Sequence, residues 1–252
     1  MKDSTKIEIG NLVSSFIDSI PQIDKSRIEF IRKAYPFHSA IFSEEAILFS
    51  KQERSIVTRM GMILFPSLAK SIALGSHSDV HNNYSIMGDI DSGSMSEINK
   101  IVNELREGGG KRKPDHEKET ESIIANHSGK IDKTRVIADT YIGDHKEGPL
   151  FLEIKTPMPN IDICAQSKKK ILVFEELKRN QSGRGYLAFA YNPYITRDKY
   201  DHSPTKSIMD LKEEVLMGEE MWDKIGGEGT YRNLLEVVDS AGEAKRKELE
   251  KV

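Results

Sequence analysis

In the run LFLEIKTPMPN, residues 150–160, Glu153 and Lys155 stand two positions apart within an apolar stretch that ends in two prolines. Side chains alternate along a strand, so Leu150, Leu152 and Ile154 share one face while Phe151, Glu153 and Lys155 share the other. The apolar run RVIADTYIG just before it carries Asp139. If the connection DHKEG is centred near Lys146, antiparallel pairing sets Asp139 opposite Glu153. Two facing carboxylates repel one another in a half-buried sheet, and a divalent cation offsets that repulsion. Mg²⁺ takes a few carboxylates, here Asp139 and Glu153, a backbone carbonyl, here that of Ile154, and water, with positions left for phosphate oxygens. Beside them, Lys155 could orient the attacking water, lower its pKa or stabilise a pentavalent phosphate.

An E-x-K triplet also fits the solvated face of an edge strand. Asp139 on a neighbouring apolar strand weighs against that reading, as does the TPMPN exit, which suits the mouth of a cleft. The arrangement depends on register, since a slip of one residue would turn Asp139 away from Glu153. A literal Pro114–Asp115 pair is set aside because it falls in GGGKRKPDHEKETES, a charged segment read as an exposed loop where no rigid strand aims a ligand.

These residues need a scaffold, and the chain's periodicity supplies one. Apolar residues recur at helical spacing over 5–20, with Pro21 as the stop, over 25–34, and over 44–74, where Pro66 should kink or interrupt the helix. The Gly-, Ser-, Asn- and Asp-rich stretch from Gly75 to Gly93 reads as an irregular connection with room for one short ordered piece. Ser94 and Glu97 have capping-box spacing ahead of a helix that the glycines 108–110 end. Two strands follow, then a helix over 161–179, a strand in GYLAFAYNPY, and helical stretches near 206–216, 230–240 and 242–250. The expected fold is a mixed α/β (α+β) domain over residues 1–252, mainly helical over 1–110, with a catalytic sheet over 130–205 and C-terminal helices over 206–252.

Several function classes drop out. The longest apolar runs, such as GMILF and ILVF, are too short to cross a bilayer, and the charged start MKDSTKIE is not a signal peptide, so a soluble cytoplasmic protein without membrane partners is expected. Cys164 is the sole cysteine, which rules out an internal disulfide or a cysteine zinc cluster and gives a thiol no activating partner. His77 and His81 are spaced for a paired metal site, but the surrounding Gly75, Asn82 and Asn83 argue against the helix that such a site needs. No phosphate loop, dinucleotide fingerprint or nucleophile elbow occurs. A net charge of -3 gives no bulk signal for nucleic acid, although a local basic cleft can sit on an acidic protein. Trp222 reads as a packing anchor at a helix end.

An acid on one strand followed by E-x-K on the next resembles the PD-(D/E)xK nuclease superfamily, here as Asp139, Glu153 and Lys155. In chain order ERSIVTRMG, FLEIKTPMPN, AYNPY and MGEEMWDKIGG, within about residues 37–240, are similar to the TdeIII family of type II restriction endonucleases. The resemblance implies a restriction-endonuclease-like core, a mixed central sheet flanked by helices. It also implies Mg²⁺-dependent cutting of both strands of double-stranded DNA at a short palindrome, a homodimer that matches the two-fold site, and a cognate DNA methyltransferase. Enzymes of that group are associated with GGNCC-type sites. The superfamily often adds a helical acid before the hairpin, for which Glu44, Glu45 and Glu53 are the candidates.

For DNA contact, Lys168, Lys169 and Lys170 follow the site on one helix and cannot all face one way, with Lys169 taken as the phosphate contact. Asn160 stands at the cleft mouth, able to cap the helix or to touch a base edge. The loop NPYITRDKYDHSPTK offers Arg197, Lys199 and Tyr200, and KRNQSGRG offers Arg184, whose flanking glycines would allow close approach to a groove. A non-cleaving module of the same fold that binds DNA or a protein, and a repair or mobile-element nuclease, are the competing readings.

Overall fold

A computed structural model of the chain describes residues 1–21, 28–108 and 112–249. The expected helix start at 25–27 and the glycines 109 and 110 lie outside them. Five strands form one mixed sheet in sequential order: β1 (Val80–Asp91), β2 (Ile131–Ile142), β3 (Leu150–Lys155), β4 (Arg184–Phe189) and β5 (Val215–Met217). The β1–β2 and β2–β3 pairs are antiparallel, and the β3–β4 and β4–β5 pairs are parallel.

Helices cover both faces. Before the sheet come α1 (Asp3–Asp18), α2 (Ile28–Ala34), α3 (Pro36–Ile41), α4 (Glu44–Arg59) and α5 (Phe65–Leu74). Between β1 and β2 lie α6 (Ser92–Glu107) and α7 (His116–Ala125), and α8 (Ile161–Leu177) makes the crossover from β3 to β4. Then follow α9 (Ser203–Ile208), α10 (Leu211–Glu214), α11 (Glu219–Gly226) and α12 (Thr230–Leu249).

Strand alternation divides the core in two. Phe151, Leu187 and Phe189 pack toward α6 and α8, whereas Leu150, Leu152, Ile154, Tyr186 and Ala188 pack toward α1, α5 and α11. The crossover helix lies close against β4, because a Cβ on Gly185 would stand 2.9 Å from Ile171 Cγ2. Trp222 anchors the second core by donating its indole N–H to the Ala190 carbonyl at 2.8 Å.

Three expectations are corrected. The stretch read as irregular from Gly75 to Gly93 contains the twelve-residue strand β1. It escaped the alternation test because Val80, Ile86, Ile90 and Asp91 are its only buried residues, as on an edge strand with one face in solvent. The charged segment expected to be a loop folds from His116 as α7, with Asp115 as N-cap accepting from the Lys118 amide. Helix α6 is capped not by Ser94 but by Asp91, which accepts from the amides of Gly93 and Ser94. The expected interruption near Pro66 takes the form of a π-helical turn: Met60–Leu64 widens so that the Phe65 amide bonds the Met60 carbonyl, just where the proline ring would crowd an α-helical carbonyl.

The continuous helical run Glu44–Leu74 has the length and apolar content of a membrane span. Its second half is buried through Phe65, Leu68, Ala69, Ile72 and Ala73 in the core shared with α1 and α11.

Candidate active site

The β2–β3 register places Thr140 against Leu152, Tyr141 against Phe151 and Ile142 against Leu150. One step further along that ladder, Asp139 falls opposite Glu153. It is no longer part of the backbone ladder, and its side chain takes over: Asp139 Oδ2 accepts the Ile154 amide at 2.8 Å and the Lys155 ammonium at 2.7 Å. Lys155 Nζ also lies 2.9 Å from Glu153 Oε1. The three residues therefore meet around one ammonium group at the end of β3.

Helix α8 adds a second cation. Lys170 donates to Glu153 Oε1 at 2.8 Å and to Oε2 at 2.9 Å. Glu153 itself is 2% exposed, so its charge is stabilised by these lysines rather than by water. Burial works to lower the Lys155 pKa, but Glu153 and Asp139 outweigh it and hold the group above its ordinary value.

The backbone around this cluster is firmly held. Asn160 caps α8 by accepting from the Ile163 amide at 2.9 Å, and the Tyr200 hydroxyl donates to the Pro157 carbonyl at 2.6 Å. The proline exit is thus tied down on the side where β3 ends. The π-helical turn passes the same place, since a Cβ on Gly61 would be 3.6 Å from Thr156 Cγ2. Single π-type turns inside long helices often accompany functional sites.

Two carboxylates and a carbonyl suit a hard cation that keeps several waters or phosphate oxygens. On a strand the N–H and C=O of one residue point to the same edge. The Ile154 carbonyl is therefore directed to the side on which Asp139 receives its amide. Among the described residues no group of three His, Cys, Asp or Glu side chains could hold a metal ion. Neither Glu44, Glu45 nor Glu53 joins the pair as a helical acid; Glu44 is engaged with Arg32.

The residues expected at DNA fare differently. Tyr200 is buried and its hydroxyl also lies 3.1 Å from that of Thr205, so it is a packing residue rather than a surface contact. Arg197 is spent internally on the Leu211 carbonyl at 2.5 Å, the Val215 carbonyl at 2.7 Å and the Glu220 carboxylate. Arg184 opens β4 opposite Leu150, three positions back from the row of Glu153. Its guanidinium donates to the Glu213 carbonyl at 2.9 Å and stands 3.0 Å from a ring nitrogen of His116. The Asn160 amide oxygen is committed to the cap. Lys169 and Lys199 are exposed.

Sequence reasoning placed none of the three consecutive lysines in this cluster and took Lys169 as a phosphate contact. Lys170 reaches Glu153, whereas Lys168 is fully buried elsewhere and Lys169 points outward. Helix phase carried the signal, because Lys170 lies three residues after buried Ser167 and four before buried Phe174.

The model of the HinfI family of type II restriction endonucleases matches residues 4–242. The chain belongs to this family. The HinfI-family chain is 31% identical over 218 residues to the type II restriction enzyme HgiEI of Herpetosiphon aurantiacus, covering 85% of this chain and 79% of that one. Identity to HgiBI of the same organism is 30%, with the same coverage. Identity to MjaII of Methanocaldococcus jannaschii is 26% over 98% of this chain and 71% of that one. No solved structure matches at a significant level. The expected kinship with type II restriction endonucleases holds, HinfI being the family whose model matches, and the mixed five-stranded sheet flanked by helices agrees with a restriction-endonuclease-like core.

Proposed function

We propose that this HinfI-family chain hydrolyses phosphodiester bonds in both strands of DNA at a short palindromic site, with Mg²⁺ as cofactor and Asp139, Glu153 and Lys155 as the catalytic set. The observation that supports it most is the convergence of both carboxylates on one lysine at the end of β3. Two carboxylates and the neighbouring Ile154 carbonyl are the kinds of donor that Mg²⁺ prefers.

In this reading Asp139, Glu153 and the Ile154 carbonyl hold the metal, which when bound supplies Lewis-acid stabilisation and a more acidic water. Asp139 has a second task, because its bond to the Ile154 amide fixes the strand end that carries both other residues. Lys155, between the two carboxylates, positions the attacking water and faces the charge that builds on the phosphate. A rigid strand pair aims these groups better than a loop would.

A homodimer fits a palindromic substrate. Exposed Phe37, Ile41 and Phe42 on and beside α3, with Phe49 on α4, provide an apolar surface for such pairing. A partner methyltransferase would protect host DNA in the cytoplasm. Incubation with unmethylated phage DNA and Mg²⁺ tests the reading, and a GGNCC-type site is the first to map. Discrete fragments that EDTA abolishes are expected. Retarded but intact DNA would indicate a binding module, and structure-selective cutting a repair or mobile-element nuclease.

A further inference from the structure

We infer that Lys170 is a built-in competitor of the metal: it occupies the Glu153 carboxylate in the free enzyme and must leave for the cation to bind. The inference rests on the proposed metal site and concerns a residue that site does not include.

Lys170 Nζ lies 2.8 and 2.9 Å from the two oxygens of Glu153. A cation that used this carboxylate would need the same lone pairs. Charge gives a second reason. Asp139 and Glu153 are balanced by Lys155 and Lys170, so the cluster is neutral as it stands, and a divalent ion added to it would leave two uncompensated positive charges. One lysine has to withdraw.

Geometry selects which. Lys155 is carried on β3 itself and is shared between Asp139 and Glu153. Lys170 comes from α8, reaches Glu153 alone, and has a side chain 36% exposed. Its flexible stem gives the ammonium a path to solvent, or to the phosphate of an incoming strand. The result is an enzyme that takes up metal poorly by itself and more readily when DNA supplies compensating negative charge. This makes Lys170 a positioning residue, acting through Glu153.

Calorimetric titration of the full chain with Ca²⁺, without DNA, tests this. Lys170→Met should bind Ca²⁺ at least about tenfold more tightly than the wild type, because a competing positive charge has gone. Glu153→Gln in the same background should remove that gain. Lys170→Gln serves as a second variant, since both replacements are good helix formers. Equal or weaker Ca²⁺ binding by both Lys170 variants, with Glu153→Gln still abolishing it, would overturn the role of Lys170 and leave the metal site standing. Ca²⁺ binding indifferent to Glu153 would overturn the site itself.

Discussion

Helix α8 feeds two carboxylate–lysine clusters from residues two apart, and the two could hardly differ more. Lys170 serves the cluster at the end of β3, whose Asp139, Lys155 and Lys170 side chains are between 24% and 36% exposed. Lys168, about 200° away around the helix, is fully buried between Glu119 and Glu214. Glu214 is held by Lys168 at 2.5 and 2.6 Å and approached by His116 at 3.3 Å. Burial would raise both acids. Glu214, with Lys168 and His116 beside it, is nevertheless lowered, whereas Glu119, where burial and its neighbour Glu214 outweigh Lys168 and the Asp115 amide, stays raised. The sealed cluster, with Lys168, Glu119 and Glu214 buried, fastens α7 and α10 to α8. The open one has the same kinds of residue, with the Asp139, Lys155 and Lys170 side chains partly reached by solvent. Exposure, rather than composition, separates the two clusters.

The contrast breaks first at Lys168. Lys168→Met should destabilise the protein by about 3–5 kcal/mol, because it leaves buried Glu119 without a counter-charge and Glu214 with His116 alone. Denaturant unfolding would show this, while DNA cutting by the folded fraction should stay unchanged. Loss of cutting without loss of stability would mean that the sealed cluster takes part in function. A smaller effect is expected at Tyr200, whose hydroxyl ties the proline exit to α9. Tyr200→Phe should cost about 1 kcal/mol and leave DNA affinity in Ca²⁺ unaltered, and a large loss of affinity would restore it as a DNA contact. The smallest effect concerns Cys164, one turn from Lys168. Burial pushes its thiol up to about 11, so a disulfide reagent at neutral pH should label it only after unfolding. Rapid labelling of the native protein would show that this side of α8 is open.

The strand pair β2–β3 was legible because a short connection centred near Lys146 fixes the register, and apolar alternation fixes which face the acids occupy. That local information was enough to bring Asp139, Glu153 and Lys155 together. Strand β1 was hidden because one of its faces is solvated and its sequence is rich in turn formers, including Asn83 at a φ of 50°. Helix α7 was hidden because His116 and Glu119 look like surface residues until Lys168, Glu175 and Glu214 arrive from other elements. The same distance effect hides the internal partners of Arg197 and Arg184. Nothing near Arg197 or Arg184 in sequence announces the carbonyls of Val215, Leu211 and Glu213 that hold them. Lys170 could be told from Lys169 only by helix phase, which three consecutive lysines blur.

The claim at the centre of this account is that the three side chains at the end of β3 perform DNA cleavage. Lys155→Ala tests it most directly, with single-turnover cutting in Mg²⁺ and DNA binding in Ca²⁺ measured on the same preparation. Cutting should fall by about a thousandfold while binding is largely retained. Cleavage at the wild-type rate by this variant would contradict the account.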